Sequence, residues 1–336
     1  MTNQSDVQLQ VEAFCADFEA LAQEMGRVIV GHQETIRLAL TALIVGGHLL
    51  VEGLPGTGKT TLIRALAGCL ELTFNRVQCT PDLMPADLIG TYVITETPQG
   101  RRTFEFQRGP LFANIVLADH INRAMPKTQA AFLEAMDEHA VTVSTETFRL
   151  PRPHLVAATQ NPLETEGTFP LPEAQIDRFL FKLSMDPPAP EQMELILQRT
   201  TDMERAKAHK VADATRITQM GELARQVVLG EAVRRWAVNV VAASHPGNQR
   251  APDEVRRLVR YGAGPRAAQA IVLGAKVRAL LEGRCHVSCE DVRAVVHPAL
   301  RHRVILNYEG QAEETAVDKL IDKVLQSVPA PGPSPA

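Results

Sequence analysis

What the chain lacks sets its first bounds. No apolar run in its 336 residues approaches the ~20 residues that a membrane-spanning helix needs. The opening residues, Met1 to Val7, are polar and lack the basic-then-apolar order of a secretory signal. The expectation is a cytoplasmic protein without a membrane span. A disulfide framework is missing too: Cys15, Cys69, Cys79, Cys285 and Cys289 are odd in number and scattered. Cys285, His286 and Cys289 lie close together, but no second pair completes a tetrahedral metal site. Ser288 and Asp291 instead have the spacing of a helix capping box. There is no excess of either charge. The formal net charge of −4 gives no basic face for nucleic acid on composition alone. Internal repeats are absent as well. What is present is 45% hydrophobic and 22% charged, the balance of a soluble globular protein. The length suits one large domain or two ordinary ones.

Short apolar runs recur at His48–Glu52, Phe74–Cys79, Ile115–Asp119, Leu155–Thr159 and Phe181–Met185. Helical stretches separate most of them, which predicts an α/β fold with a mainly parallel sheet covered on both faces. Two hairpins interrupt the alternation. One runs from about Thr91 to Phe106 with a turn at Pro98-Gln99-Gly100, the other from about Val141 to Leu150, turning near Thr145-Glu146. After Asp186 the character changes. Pro187, Pro188 and Pro190 break the chain, and the rest reads as helical with no clear strand. Ala267 to Leu281 has helical spacing and ends at Gly283. The predicted division is an α/β domain over 1–186, an all-helical domain over 187–326 and a disordered Pro-rich tail over 327–336.

Gly53-Leu-Pro55-Gly56-Thr57-Gly58-Lys59-Thr60 fits the phosphate-binding pattern GxxxxGK[ST]. Its glycines let backbone N–H groups close around phosphates. Lys59 reaches the β- and γ-phosphates, and the Thr60 hydroxyl is a ligand for Mg²⁺. Thr61 opens the helix that follows, whose positive dipole end faces the anion. An apolar strand, Leu49 to Glu52, precedes the loop. A second apolar strand ends in an acid at Asp119, where nucleotide hydrolases of this class hold Mg²⁺ directly or through water. ATP and Mg²⁺ are therefore the expected ligands.

Three further stretches carry a family resemblance. They are Asp119-His-Ile-Asn-Arg-Ala-Met-Pro-Lys-Thr-Gln-Ala-Ala-Phe-Leu-Glu-Ala-Met136, Ala158-Thr-Gln-Asn-Pro162 and Glu166-Gly-Thr-Phe-Pro-Leu-Pro-Glu-Ala-Gln-Ile-Asp-Arg-Phe179. Each resembles a block of the MoxR family of AAA+ ATPases, and Gly262-Ala-Gly-Pro-Arg-Ala267 resembles that family's second sensor. The likeness covers about residues 28–306. It implies a AAA+ core of the helix-2-insert group, with the Thr91–Phe106 hairpin as the insert, and a helical lid. It also implies that Val30-Gly-His-Gln33 lies near the adenine and that Asn161 is sensor 1, orienting the attacking water. By the same likeness Arg178 is an arginine finger acting on a neighbour's nucleotide, and Arg266 is sensor 2, reaching the nucleotide from the lid. Taken singly, each has a plainer reading: Asn161 as a turn cap, Arg178 as a surface ion-pair residue, Arg266 as an exposed first-turn arginine.

The chain departs from the family at one catalytic position. Relatives carry Asp-Glu at the end of the second strand, and here the pair is Asp119-His120. The glutamate polarises water, so its loss bears directly on hydrolysis, although an imidazole can still accept a proton or hydrogen bond. Glu164 and Glu166 fall at positions where the family is usually acidic or polar and are not counted as replacements. Three functions stay open. The first is an ATP-driven chaperone-like ring, expected to be a hexamer, that remodels a partner protein bearing a von Willebrand factor A domain. The second is a nucleotide-gated scaffold with little hydrolysis. The third is a chelatase or DNA-helicase subunit. Arg101 and Arg102 in the first hairpin are read as solvated rather than as nucleic-acid contacts.

Overall fold

The computed structural model describes residues 4–96, 102–143, 145–201 and 206–332. Five strands form the central sheet: β1 Leu49–Gly53, β2 Phe74–Gln78, β3 Ile115–Asp119, β4 Leu155–Gln160 and β5 Phe181–Met185. Their order across the sheet is β5-β1-β4-β3-β2, and every pairing is parallel. All five coincide with the apolar runs read from the sequence.

Residues alternate across a strand, and in the inner strands β1, β4 and β3 both faces are buried. Leu49, Val51, Ile115, Leu117, Leu155 and Ala157 join one core, while Leu50, Val116, Ala118, Val156 and Ala158 join the other. The first core does not stop at residue 186. It continues into helices of the C-terminal half through Trp236, Ile271, Val295 and Ile321. Gly274 marks a close approach: a Cβ there would lie 2.8 Å from Phe181 Cζ and 3.1 Å from Val295 Cγ1. The helix Pro265–Leu281 carrying it thus packs directly on the end of β5. The N-terminal helix Gln4–Val28 adds Phe14, Phe18, Leu21 and Met25 to the same core.

Some details differ from the expectations. The C-terminal half is not strand-free: Ala212–Asp213 pairs with Leu70–Glu71, and Val259–Tyr261 pairs with Ile305–Leu306. Strands of two and three residues are too short to show a period-2 pattern. The second hairpin pairs Ala140–Val143 with Glu146–Arg149, so Glu146 lies in the strand and not in the turn. The first pairs Gly90–Glu96 with Arg102–Arg108; its expected turn, and Arg101, lie outside the described residues. The predicted tail over 327–336 is ordered at its start: Ser327 still closes the helix Val317–Ser327 and Val328 is buried. Trp236 Nε1 donates to the Val328 carbonyl at 2.9 Å. Residues 333–336 lie outside the described residues. Ser288 and Asp291 do form the expected capping box. Among the described residues no helix is long and apolar enough to cross a membrane.

Candidate nucleotide site

The phosphate loop leaves β1 at Gly53, where a side chain does not fit: a Cβ would lie 2.5 Å from the Met185 carbonyl oxygen. Gly56 and Gly58 take φ of 83° and 90°, the left-handed region that glycine adopts without strain. Pro55 is exposed, and Thr57 Oγ1 donates to the Leu54 carbonyl at 2.9 Å, closing the turn. The helix Lys59–Gly68 then begins, with Thr61 exposed in its first turn. Lys59 is folded back on its own loop. Its Nζ donates to the carbonyls of Gly53 at 2.7 Å and Leu54 at 2.8 Å. Burial lowers the pKa of this ammonium, against the opposing pull of Asp119, Glu164 and Glu52.

Asp119 closes β3 beside the loop and is nearly fully buried. Thr60 Oγ1 donates to its Oδ1 at 3.2 Å, and Thr159 Oγ1 donates to the same atom at 2.7 Å. Arg76, from the neighbouring strand β2, places Nη2 at 2.7 Å and Nε at 3.0 Å from Oδ2. Burial pushes the Asp119 carboxyl up, but the bonds from Thr159 and Arg76 outweigh it and hold it below the usual carboxylate range. Ionised oxygen beside a threonine hydroxyl is the donor chemistry that suits a hard divalent cation.

His120 follows at φ 58°, a left-handed conformation that histidine tolerates better than most residues. Its backbone N–H donates to Thr159 Oγ1 at 2.9 Å. Its Nδ1 is buried without a hydrogen-bond partner and lies 3.5 Å from Glu164 Oε2. Asn161, at the end of β4, is buried, and its Oδ1 accepts from Leu163 N at 3.2 Å. The turn-capping role is therefore present, and Asn161 also sits on the loop that carries Glu164 towards His120. The Val30–Gln33 segment, expected near the adenine, abuts the helix Pro190–Thr201. A Cβ on Gly31 would lie 2.5 Å from Gln192 Nε2.

Arg178 and Arg266 are elsewhere. Arg178 precedes β5, whose first residue Phe181 pairs with Leu49 at the start of β1. The phosphate loop leaves the other end of β1. Arg178 Nη1 lies 2.7 Å from Asp137 Oδ2 and donates to the Leu133 carbonyl at 2.9 Å. Arg266 Nη2 lies 3.3 Å from the other oxygen of Asp137. One carboxylate thus gathers both arginines at the end of the strands opposite the loop. The likeness has Arg266 reaching the nucleotide from the lid; within this chain the helix it opens docks at the Leu49 end of β1, away from the phosphate loop. Arg303 fixes that docking: its guanidinium bonds Asp177 Oδ1 at 2.7 Å and the carbonyls of Phe179 and Ala299 at 2.7 and 2.6 Å.

Comparison with known proteins agrees with this architecture. Residues 48–181 match the model of the ATPase family associated with various cellular activities (AAA), and residues 253–324 match an AAA lid domain. The chain is 40% identical to Chaperone MoxR1 of Mycobacterium tuberculosis over 308 residues, covering 92% of this chain and 81% of that one. It is 34% identical to Protein MoxR of Paracoccus denitrificans, covering 94% and 97%. The chain belongs to the MoxR family of AAA+ ATPases. A crystal structure of a candidate ATPase from Cytophaga hutchinsonii superposes with a TM-score of 0.90 at 34% identity, covering 98% of this chain and 99% of the other.

In this member of the MoxR family, the groups that hold the loop, Asp119 and the two arginines in place carry no signal of their own in the sequence. Arg76, Thr159 and Asp137 were not singled out, and Glu164 was set aside. Arg76 and Thr159 become visible only when β2 and β4 are known to flank β3. An acid at the end of the helix Pro126–Glu138 gives no signal of its own, since helices often end in charge.

Proposed function

We propose that this chain is an ATP-hydrolysing subunit of a MoxR ring, expected to be a hexamer, that remodels or activates a partner protein. The class of partner, a protein with a von Willebrand factor A domain, rests on the family resemblance. One observation carries the ring reading: Lys59, Thr60 and Asp119 lie at one end of the sheet's strands, while Arg178 and Arg266 share Asp137 at the other. A site divided in this way is completed by a neighbouring subunit. Both arginines then act in trans, each leaving Asp137 for the neighbour's phosphates.

Residues Gly53, Pro55, Gly56, Thr57, Gly58, Lys59, Thr60 and Thr61 would surround the phosphates, with Lys59 turning from its own carbonyls to the anion. Thr60 and Asp119 would hold Mg²⁺, which neutralises charge on the β- and γ-phosphate oxygens. His120 and Asn161 face the attacking water. A second reading is favoured by His120 itself: without a carboxylate there, the ring switches on ATP binding and turns over slowly.

Lys59→Ala should abolish binding of a fluorescent ATP analogue while leaving the circular dichroism spectrum unchanged, because no other mobile cation in the loop replaces the ammonium. Equal binding by the variant and the parent would remove the site assignment. Phosphate release by the parent, stimulated on assembly, separates the hydrolytic ring from the slow switch.

A further inference from the structure

The carboxylate missing at position 120 has a counterpart in space. Glu164 lies on the loop after β4, and its Oε2 is 3.5 Å from His120 Nδ1. That nitrogen is buried and has no hydrogen-bond partner. Arg123 grips Glu164 from behind, with Nη2 at 2.9 Å from Oε1 and Nε at 3.2 Å from Oε2. The grip keeps the carboxylate ionised, below its usual pKa range. Glu164 also lies within electrostatic reach of Lys59, whose ammonium it helps keep charged.

We infer that Glu164 is the positioning residue for His120: its carboxylate accepts from Nδ1–H and so presents Nε2 as the acceptor for the attacking water. The inference rests on the reading of this chain as an ATPase. At 3.5 Å the contact lies at the outer limit of a hydrogen bond, so the inferred bond needs the two groups to close by a few tenths of an ångström. A carboxylate behind an imidazole fixes its tautomer and orientation and stabilises the imidazolium that forms. In the chemical step the water oxygen bonds to the γ-phosphorus as the bond from that phosphorus to the β,γ-bridging oxygen breaks. The electron pair leaves with ADP, and the water's proton passes to His120 Nε2. The plain alternative is that Glu164 only anchors its loop to Arg123. That pair is partly exposed, and such pairs contribute little to stability, so a variant lacking it should fold.

The test is a double-mutant cycle on the full chain, measuring steady-state phosphate release and ATP affinity. Glu164→Gln should lower kcat at least about tenfold, the low end of what proton-transfer help supplies. ATP affinity should stay within about twofold, as expected for a residue that acts only in the transition state. In a His120→Glu background no imidazole needs orienting, so Glu164→Gln should cost less than about twofold. A loop anchor would lower kcat equally in both backgrounds, and that result overturns the inference, as does an unchanged kcat in the first. If the parent binds ATP but shows no turnover, the inference falls and the nucleotide site stands. If the parent binds no ATP, the underlying reading falls with it.

Discussion

At the scale of single residues, one hydroxyl holds the end of β3 together. Thr159 accepts from the His120 N–H at 2.9 Å and donates to Asp119 Oδ1 at 2.7 Å, with no exposed surface. It therefore sets the carboxylate that would bind metal and the left-handed turn that aims His120. Thr159→Val keeps the shape and removes both bonds. Leaving buried polar groups unpaired costs about 1–3 kcal/mol each, so the variant should be destabilised by about 2 kcal/mol. Its turnover should fall as well. Urea unfolding checks the first part: the midpoint should drop with the slope unchanged. An unchanged midpoint would mean that the His120 turn does not depend on this bond. Such a residue was not legible in the sequence. Gly53 to Thr60 announce themselves because the phosphate chemistry is contiguous, and Asp119 because it ends an apolar run. Thr159 is 40 residues away from Asp119 and looks like any β-branched strand residue.

Among elements, the inner strands β1, β3 and β4 were legible because both faces of each are apolar, and β5 because Phe181, Leu183 and Met185 alternate with Lys182 and Ser184, while β2 has only Phe74 and Val77 as apolar residues and paired strands of two or three residues carry no period. The ends of the elements hold a further feature. His48 precedes β1 and His154 precedes β4, with ring centroids 6.2 Å apart. His48 donates from Nε2 to the Met136 carbonyl and accepts at Nδ1 from the Val156 N–H, which commits it to the neutral form. Burial lowers its pKa to about 3 and that of His154 to about 4, and it pulls His302 well below the usual value. In the unfolded chain these groups titrate near 6.5. Between those values the unfolded state binds more protons, so their contribution is complete above about pH 6.5 and is lost as pH falls. Each group can add a slope of up to about 1.4 kcal/mol per pH unit. Urea midpoints measured at several pH values between about 7.5 and 5 should fall steadily on the acid side. A flat profile would show that the three rings protonate in place without loss of packing.

For the molecule as a whole, the decisive fact is that the two halves of the proposed catalytic machinery lie at opposite ends of one sheet. The five residues of β1, at about 3.3 Å each, span roughly 16 Å, and the loop leaves one end while Asp137 gathers Arg178 and Arg266 at the other. The sequence carried both halves but not their separation, because Arg266 reaches its place through the packing of Gly274 on Phe181 and the bonds of Arg303. Two different surfaces must then meet, and a head-to-tail contact of this kind closes into a ring when its rotation allows. The arrangement predicts complementation between dead subunits. Lys59→Ala removes the loop's cation and keeps Arg178, while Arg178→Ala does the reverse, so each alone should release almost no phosphate. In an equimolar mixture assembled from monomers, about a quarter of interfaces join an intact loop to an intact arginine if subunits mix at random. The mixture should therefore recover up to about a quarter of the parent turnover, read in the same phosphate-release assay. A mixture no more active than its components, with mixed oligomers demonstrated by light scattering on subunits of two tagged sizes, would place Arg178 in its own subunit's site and dismantle the trans arrangement.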